Sequence, residues 1–134
     1  MIKQIVLDAI NLLHASNKFR YVGKDWGQLD MERPAVSFPC ALVNLPGFED
    51  SEETKGGNKR SYTISVEFAD IVQTVSSQSD HIGKSLDYMD RMDEIIAIMA
   101  SGDYKFVRAY DNPEKENITD YILVFRKTVR IPLQ

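Results

Sequence analysis

Apolar residues recur along this chain at two different periods. Near the N-terminus Ile2, Ile5, Val6, Ala9, Ile10 and Leu13 are spaced three and four apart, with Lys3, Gln4, Asp8 and Asn11 mostly between them. That period predicts an amphipathic helix from about Lys3 to Ala15, ended by Ser16-Asn17. Phe19 to Val22 is a short β-like run closed by Gly23, and Lys24 to Arg33 is polar and irregular, with Trp26-Gly27 inside it. From Ala35 to Leu45 the apolar Val36, Phe38, Ala41, Leu42 and Val43 fall on both parities, the pattern of a strand buried on both faces. Pro39 lacks an amide hydrogen and belongs at a bulge or an edge of that strand.

Pro46 to Asn58 reads as a loop: it carries Glu49, Asp50, Glu52 and Glu53, then Gly56-Gly57-Asn58. Beyond it Tyr62, Ile64, Val66 and Phe68 alternate with Thr63, Ser65 and Glu67, which predicts a half-buried strand. Gln73 to Ser79 is a polar linker, with Ser79 or Asp80 placed to cap a second helix from about His81 to Ala100. Ile82, Leu86, Met89, Met92, Ile96 and Met99 form its apolar stripe, Ile95 lies alongside, and Asp87 and Arg91 stand i, i+4 on the opposite side. Gly102 is the expected left-handed residue after it. Lys105 to Tyr110 reads as a short strand and Asp111 to Asn117 as a charged turn. In the long strand Ile118 to Ile131, Tyr121, Leu123, Phe125, Val129 and Ile131 share one face and Ile122 and Val124 the other, so its middle is expected to be covered on both sides. The order α-β-β-β-α-β-β lacks unbroken βαβ alternation. It predicts an α+β fold, a mostly antiparallel sheet with two amphipathic helices packed on it, as a single domain over residues 1–134.

Composition narrows the function classes. With 134 residues the chain is one domain's worth, long enough to bury a core without staples. The formal net charge is −4, and Lys and Arg are scattered among more numerous carboxylates. That disfavours sequence-specific nucleic acid as the main partner. No apolar run reaches membrane-spanning length. A single cysteine, Cys40, excludes an intrachain disulfide and suits a reducing cytoplasm. The N-terminal residues read as a helix interrupted by Asp8 and Asn11 rather than as a secretory signal.

Candidate chemistry is sparse. Asp87, Asp90 and Glu94 share a helical face and Asp93 is near, a carboxylate set that suits Mg²⁺, but Arg91 sits among them and a solvated face is the simpler reading. His14 and His81 are the only histidines, too few and too scattered for a zinc site. Cys40 lies in an apolar strand, where burial makes a thiol inert. Gly56-Gly57-Asn58-Lys59 lacks phosphate-loop spacing and precedes a strand. Met89, Met92 and Met99 are spaced like core. Trp26, in a polar segment, is either an interface anchor or folded back onto the sheet. These residues predict no enzyme, no cofactor and no metal.

The element order and texture resemble the tail-terminator and tail-completion proteins of long-tailed phages, the family typified by the lambda minor tail protein U. The resemblance is carried by the amphipathic Ile2 to Leu13 helix, the Pro-rich apolar segment Arg33 to Val43, a long loop before the Tyr62 to Ala69 strand, the Asp/Arg/Met-rich second helix and a terminal hairpin over Lys105 to Ile131. It implies a structural homo-oligomer, a hexameric ring that caps the tail tube and meets the head connector. Its partners would be itself, the tail-tube protein and the connector. It would assemble in the host cytoplasm and end in the virion tail. The alternatives are a stand-alone bacterial protein-binding module or another phage neck or head-completion protein. A third class, a divalent-metal nuclease using the acidic helix face, has least support. In the first reading Glu49, Asp50, Glu52, Glu53, Gly56 and Gly57, with Trp26, form the partner-binding surface: a mobile loop from Gly47 to Lys59 that a partner orders.

Overall fold

The N-terminal apolar stripe winds into helix α1 (Ile2–Ala15), which buries Ile5, Ala9 and Leu13 on one side and leaves Lys3, Gln4 and Asn11 in solvent. A short strand β1 (Tyr21–Lys24) and a 3-10 turn (Gln28–Asp30) follow, then a long hairpin of β2 (Cys40–Glu53) and β3 (Gly57–Ile71). Helix α2 (Gln78–Ala100), β4 (Lys105–Asp111) and β5 (Ile118–Ile131) complete the chain. This computed structural model describes residues 1–31, 34–53, 57–71, 78–112 and 118–131, with backbone alone at 52, 53, 57, 78–85 and 88.

The five strands form one sheet in the order β1-β2-β3-β5-β4. The β1–β2 pair is parallel and the other three are antiparallel, so the architecture is the expected α+β fold. Ala41 and Val43, Tyr62 to Phe68 at every second position, and Leu123 and Phe125 line one face of the sheet. Both helices pack there, through Ile5, Ala9 and Leu13 of α1 and Ile95 and Met99 of α2. Each such fully buried large apolar side chain stabilises the fold by roughly 1.5–3 kcal/mol. Tyr104 ties this layer together: its hydroxyl donates to the Ile5 carbonyl of α1 at 2.7 Å. Burial pushes that phenol up to about 12, with Asp8 adding to the effect.

The opposite face carries a smaller apolar cluster of Leu29, Cys40, Leu42 and Ala69, flanked by Tyr21, Val36, Phe38 and Ile118. Elsewhere on that face β3 presents Ser61, Thr63, Ser65 and Glu67, and β5 presents Arg126, Thr128 and Arg130. The middle of β5 is buried on both faces, as expected, with Leu123, Val124 and Phe125 all enclosed, although no described helix covers the second face. Both helices took the other face. Val124 is 8% exposed and Ile122 half-buried on a face without a helix among the described residues.

Four expectations shift. The apolar run from Ala35 enters the sheet only at Cys40; before that the chain bends, with a cis Phe38–Pro39 bond, and lays Val36 and Phe38 on the second cluster. The left-handed residue after α2 is Asp103, with φ 65°, not Gly102. Gly102 is small for a different reason: a Cβ there would run into Leu12 Cδ1 and press on the Tyr104 ring at 3.2 Å. Among the described side chains of α2, the stripe is core at Ile95 and Met99, which are fully buried, and partly so at Met92 and Ile96, while Leu86 and Met89 are about half exposed. Arg91 forms its ion pair with Glu94 at 3.3 Å, not with Asp87. The capping role of Ser79 or Asp80 lies outside the described side chains, and the linker and charged turn lie largely outside the described residues.

Candidate interaction surface

The segment expected to be a loop is mostly strand. Registers run from Gly47 opposite Thr63 to Glu53 opposite Gly57, so β2 and β3 continue as a ladder well beyond the last β1 pair, Lys24 with Val43. On the far side of β3, β5 follows as far as Ile131 opposite Asn58. The result is a three-stranded arm. Gly56 lies outside the described residues; Gly57 opens β3. The mobile-loop expectation from Gly47 to Lys59 is therefore corrected at the described positions.

The physical reason is cross-strand charge. The acidic half of β2 does not repel itself into a coil, because the hairpin register sets Asp50 opposite Arg60 and Ser51 beside Lys59. Arg60 Nε and Nη2 donate to the two Asp50 carboxylate oxygens at 2.6 and 3.1 Å. That hydrogen bond holds the Asp50 carboxyl below its ordinary value, and the pair keeps the guanidinium firmly charged. The Arg60 guanidinium also lies 4.8 Å from the Phe48 ring centroid, and Phe48 meets Tyr62 at 5.8 Å. Phe48 nevertheless remains 45% exposed. A signal for this hairpin was present in the chain: the acids at 49–53 and the bases at 59–60 flank the Gly-Gly pair at offsets that oppose one another.

The bulge between Asn44 and Gly47 spans Pro46, which has no donor to offer a ladder, and so bends β2 where β1 ends. Beyond it the outer edge of β2 has no neighbour among the described residues. The other margin of the sheet is β4, whose residues are exposed throughout. Phe106, Val107 and Tyr110 are each 43–47% exposed, and the Arg108 guanidinium sits 5.7 Å from the Tyr110 ring. Reading the sequence did not single these out, because a short run with mixed polarity gives no sign that it will be an edge.

Trp26, expected either as an anchor or as part of the sheet packing, is 61% exposed. The segment beneath it is held rigidly. Buried Gln28 accepts from the Trp26 amide at 2.8 Å and donates to the Lys24 carbonyl at 3.0 Å, while Asp25 accepts from the Gly27 amide. Trp26 thus stands on β1's side of the sheet, separate from the Phe48 cluster in sequence and in bonding.

The candidates for chemistry remain apart. Cys40 is fully buried, and desolvation pushes its thiol up to about 12. Asp87, Asp90 and Asp93 are exposed and Glu94 is half-buried beside Arg91. His14 closes α1 in solvent; the side chain of His81 lies outside the described ones. Among the described residues no three His, Cys, Asp or Glu side chains converge to hold a metal ion. A shallow groove of about 400 Å³ runs between α1 and the turn after α2, past Asp8, Asn11, Leu12, Gly102, Tyr104 and Lys127. Its cation is already engaged: Lys127 Nζ donates to the Gly102 carbonyl at 2.9 Å and sits 4.4 Å from the Tyr104 ring. No described helix is long and apolar enough to cross a membrane. In comparison with known proteins, no family model and no curated protein matches the chain.

Proposed function

We propose that this protein is a structural assembly component, a tail-terminator or tail-completion protein of a long-tailed phage or prophage. On this reading it forms a closed homo-oligomer, a hexameric ring, at the end of the tail tube and presents a surface to the head connector. The observation that supports it most is the three-stranded arm. It carries a charged, partly aromatic surface beyond the helix-covered core. Exposed strand edges offer unpaired backbone groups that another chain can use. A chain that keeps such edges is suited to assembly. The order of elements adds the likeness of layout described above.

The test is genetic and structural. Deleting the gene from the phage or prophage that carries it should leave heads and tails unjoined and tails of uncontrolled length in electron micrographs. Supplying the chain in trans should restore joined particles. Particles of normal length and normal infectivity without the gene would overturn this reading. Shortening the arm tip, by replacing Glu49 to Gly57 with a Gly-Ser turn, should leave the core folded but abolish restoration.

A further inference from the structure

Two sheet margins lie on opposite sides of this molecule. One is the outer edge of β2 from Gly47 to Glu53, past the point where β1 stops pairing. The other is the outer edge of β4, Lys105–Asp111, the last strand of the sheet. Their lengths match at seven residues. Their charges differ in sign: the β2 edge carries Glu49, Asp50, Glu52 and Glu53, and the β4 edge carries Lys105 and Arg108 with one carboxylate, Asp111, at its end, and exposed Arg126 is paired beside Lys105 on β5. Each margin also holds half-exposed apolar surface: Phe48 on one, Phe106, Val107 and Tyr110 on the other.

We propose that these two edges pair with each other between copies: the acidic outer edge of β2 in one molecule adds to β4 of the next, extending the sheet head to tail. Backbone amides and carbonyls that neither strand uses internally would then complete a ladder. Self-pairing of the β2 edge is disfavoured, because two such edges would oppose carboxylates with carboxylates, whereas an antiparallel β4–β4 contact would set Arg108 against Arg108 with Lys105 opposite Asp111 on either side. The β4 bulge between Phe106 and Arg108 breaks the regular spacing and further selects against indiscriminate pairing. A contact between two different patches is heterologous, so it closes into a ring or runs on as a filament.

This inference rests on the self-association part of the reading above and deepens it by naming the surfaces. Two double variants test it: Glu49→Lys with Glu52→Lys, and Lys105→Glu with Arg108→Glu. Light scattering behind size exclusion should show the unaltered chain growing from 15.3 kDa to a discrete multiple as concentration rises. Each variant alone should need about tenfold more protein to reach half-assembly, the effect of a few edge ion pairs turned repulsive. An equimolar mixture of the two should return to within a few-fold of the unaltered midpoint, because each then meets a complementary edge. Thermal unfolding of dilute samples checks that each variant folds. Should either unfold, Glu49→Gln and Lys105→Gln read the same midpoint, with a shift of about threefold expected. Amide exchange at 47–53 and 105–111 should slow on assembly. A chain that stays monomeric at every concentration, variants that assemble unchanged, or a mixture that fails to recover would each overturn the proposal. So would a dimer that ignores the β2 reversal. Mixture recovery without any tail phenotype would instead sink the phage reading and leave this interface standing; length control through other contacts would do the reverse.

Discussion

Gly102 sits where α1 and the turn after α2 touch, and the missing side chain is what lets Leu12 and Tyr104 close on each other. Adding one methyl there forces a neighbour aside in a packed layer. Gly102→Ala should therefore cost about 1–3 kcal/mol in urea unfolding, and Leu12→Ala in the same chain should recover part of that loss. Cys40 is the opposite kind of residue, enclosed but chemically idle. Its thiol should react with a labelling reagent only as fast as the protein unfolds, and Cys40→Ala should lower stability by about 1 kcal/mol without altering self-association. Trp26 shows how little a single residue's type decides: the same Asp25-Trp26-Gly27 stretch suited burial or exposure, and the Gln28 hydrogen bonds left the ring in solvent.

Elements in this fold are stable or marginal according to what lies against them. Helix α2 carries an apolar stripe in sequence, and among its described side chains those of the C-terminal half pack on the sheet while Leu86 and Met89 are about half exposed. Met99→Ala should thus cost about 2–5 kcal/mol, whereas Met89→Ala should stay within about 0.5 kcal/mol of the parent, both read from denaturant midpoints. The arm depends on cross-strand chemistry instead of burial. Because Asp50 is held below its ordinary value by Arg60, the folded state favours its charged form. The resulting stability is full above the unfolded aspartate value, about 4, and is lost as pH falls through the lower folded value. The pair is exposed, so the effect is small and screened by salt. Asp50→Asn should melt below the parent at pH 7, and the difference should vanish near pH 2. A gap that persists in acid would mean the carboxylate is not what holds the strands.

At the scale of the whole molecule, the β2 margin is strongly acidic and the β4 margin, with Lys105, Arg108 and Asp111, is weakly basic, within a net charge of −4. If those margins meet between copies, assembly weakens as ions screen them. Raising salt from about 0.05 to 0.5 M shortens the screening length from above 10 Å to a few Å. The half-assembly concentration should rise several-fold over that range in sedimentation experiments. Assembly that strengthens with salt would point to the exposed apolar residues of α2 and β4 as the driving contact instead.

Periodicity by itself determined the kind and order of the elements. The three–four spacing of Ile5, Ala9 and Leu13, the alternation from Tyr62 to Phe68, and the two-faced run from Ile118 to Ile131 each name one structure, because a helix or a strand repeats at a fixed interval regardless of its neighbours. The same reasoning placed Cys40 in the core. What lay between copies of a pattern was decided only by tertiary contact. Glu49 to Glu53 read as a loop because four like charges within five residues oppose folding locally, and only the register across the hairpin supplied Arg60 and Lys59 to meet them. Likewise, nothing local to α2 says that Leu86 and Met89 extend past the core, nothing in β4 says that it ends the sheet, and no pattern in β5 says that both helices choose the same face. Those are matters of strand order and element length. They depend on residues far apart in the chain, and the interaction surface proposed for this protein is built from them.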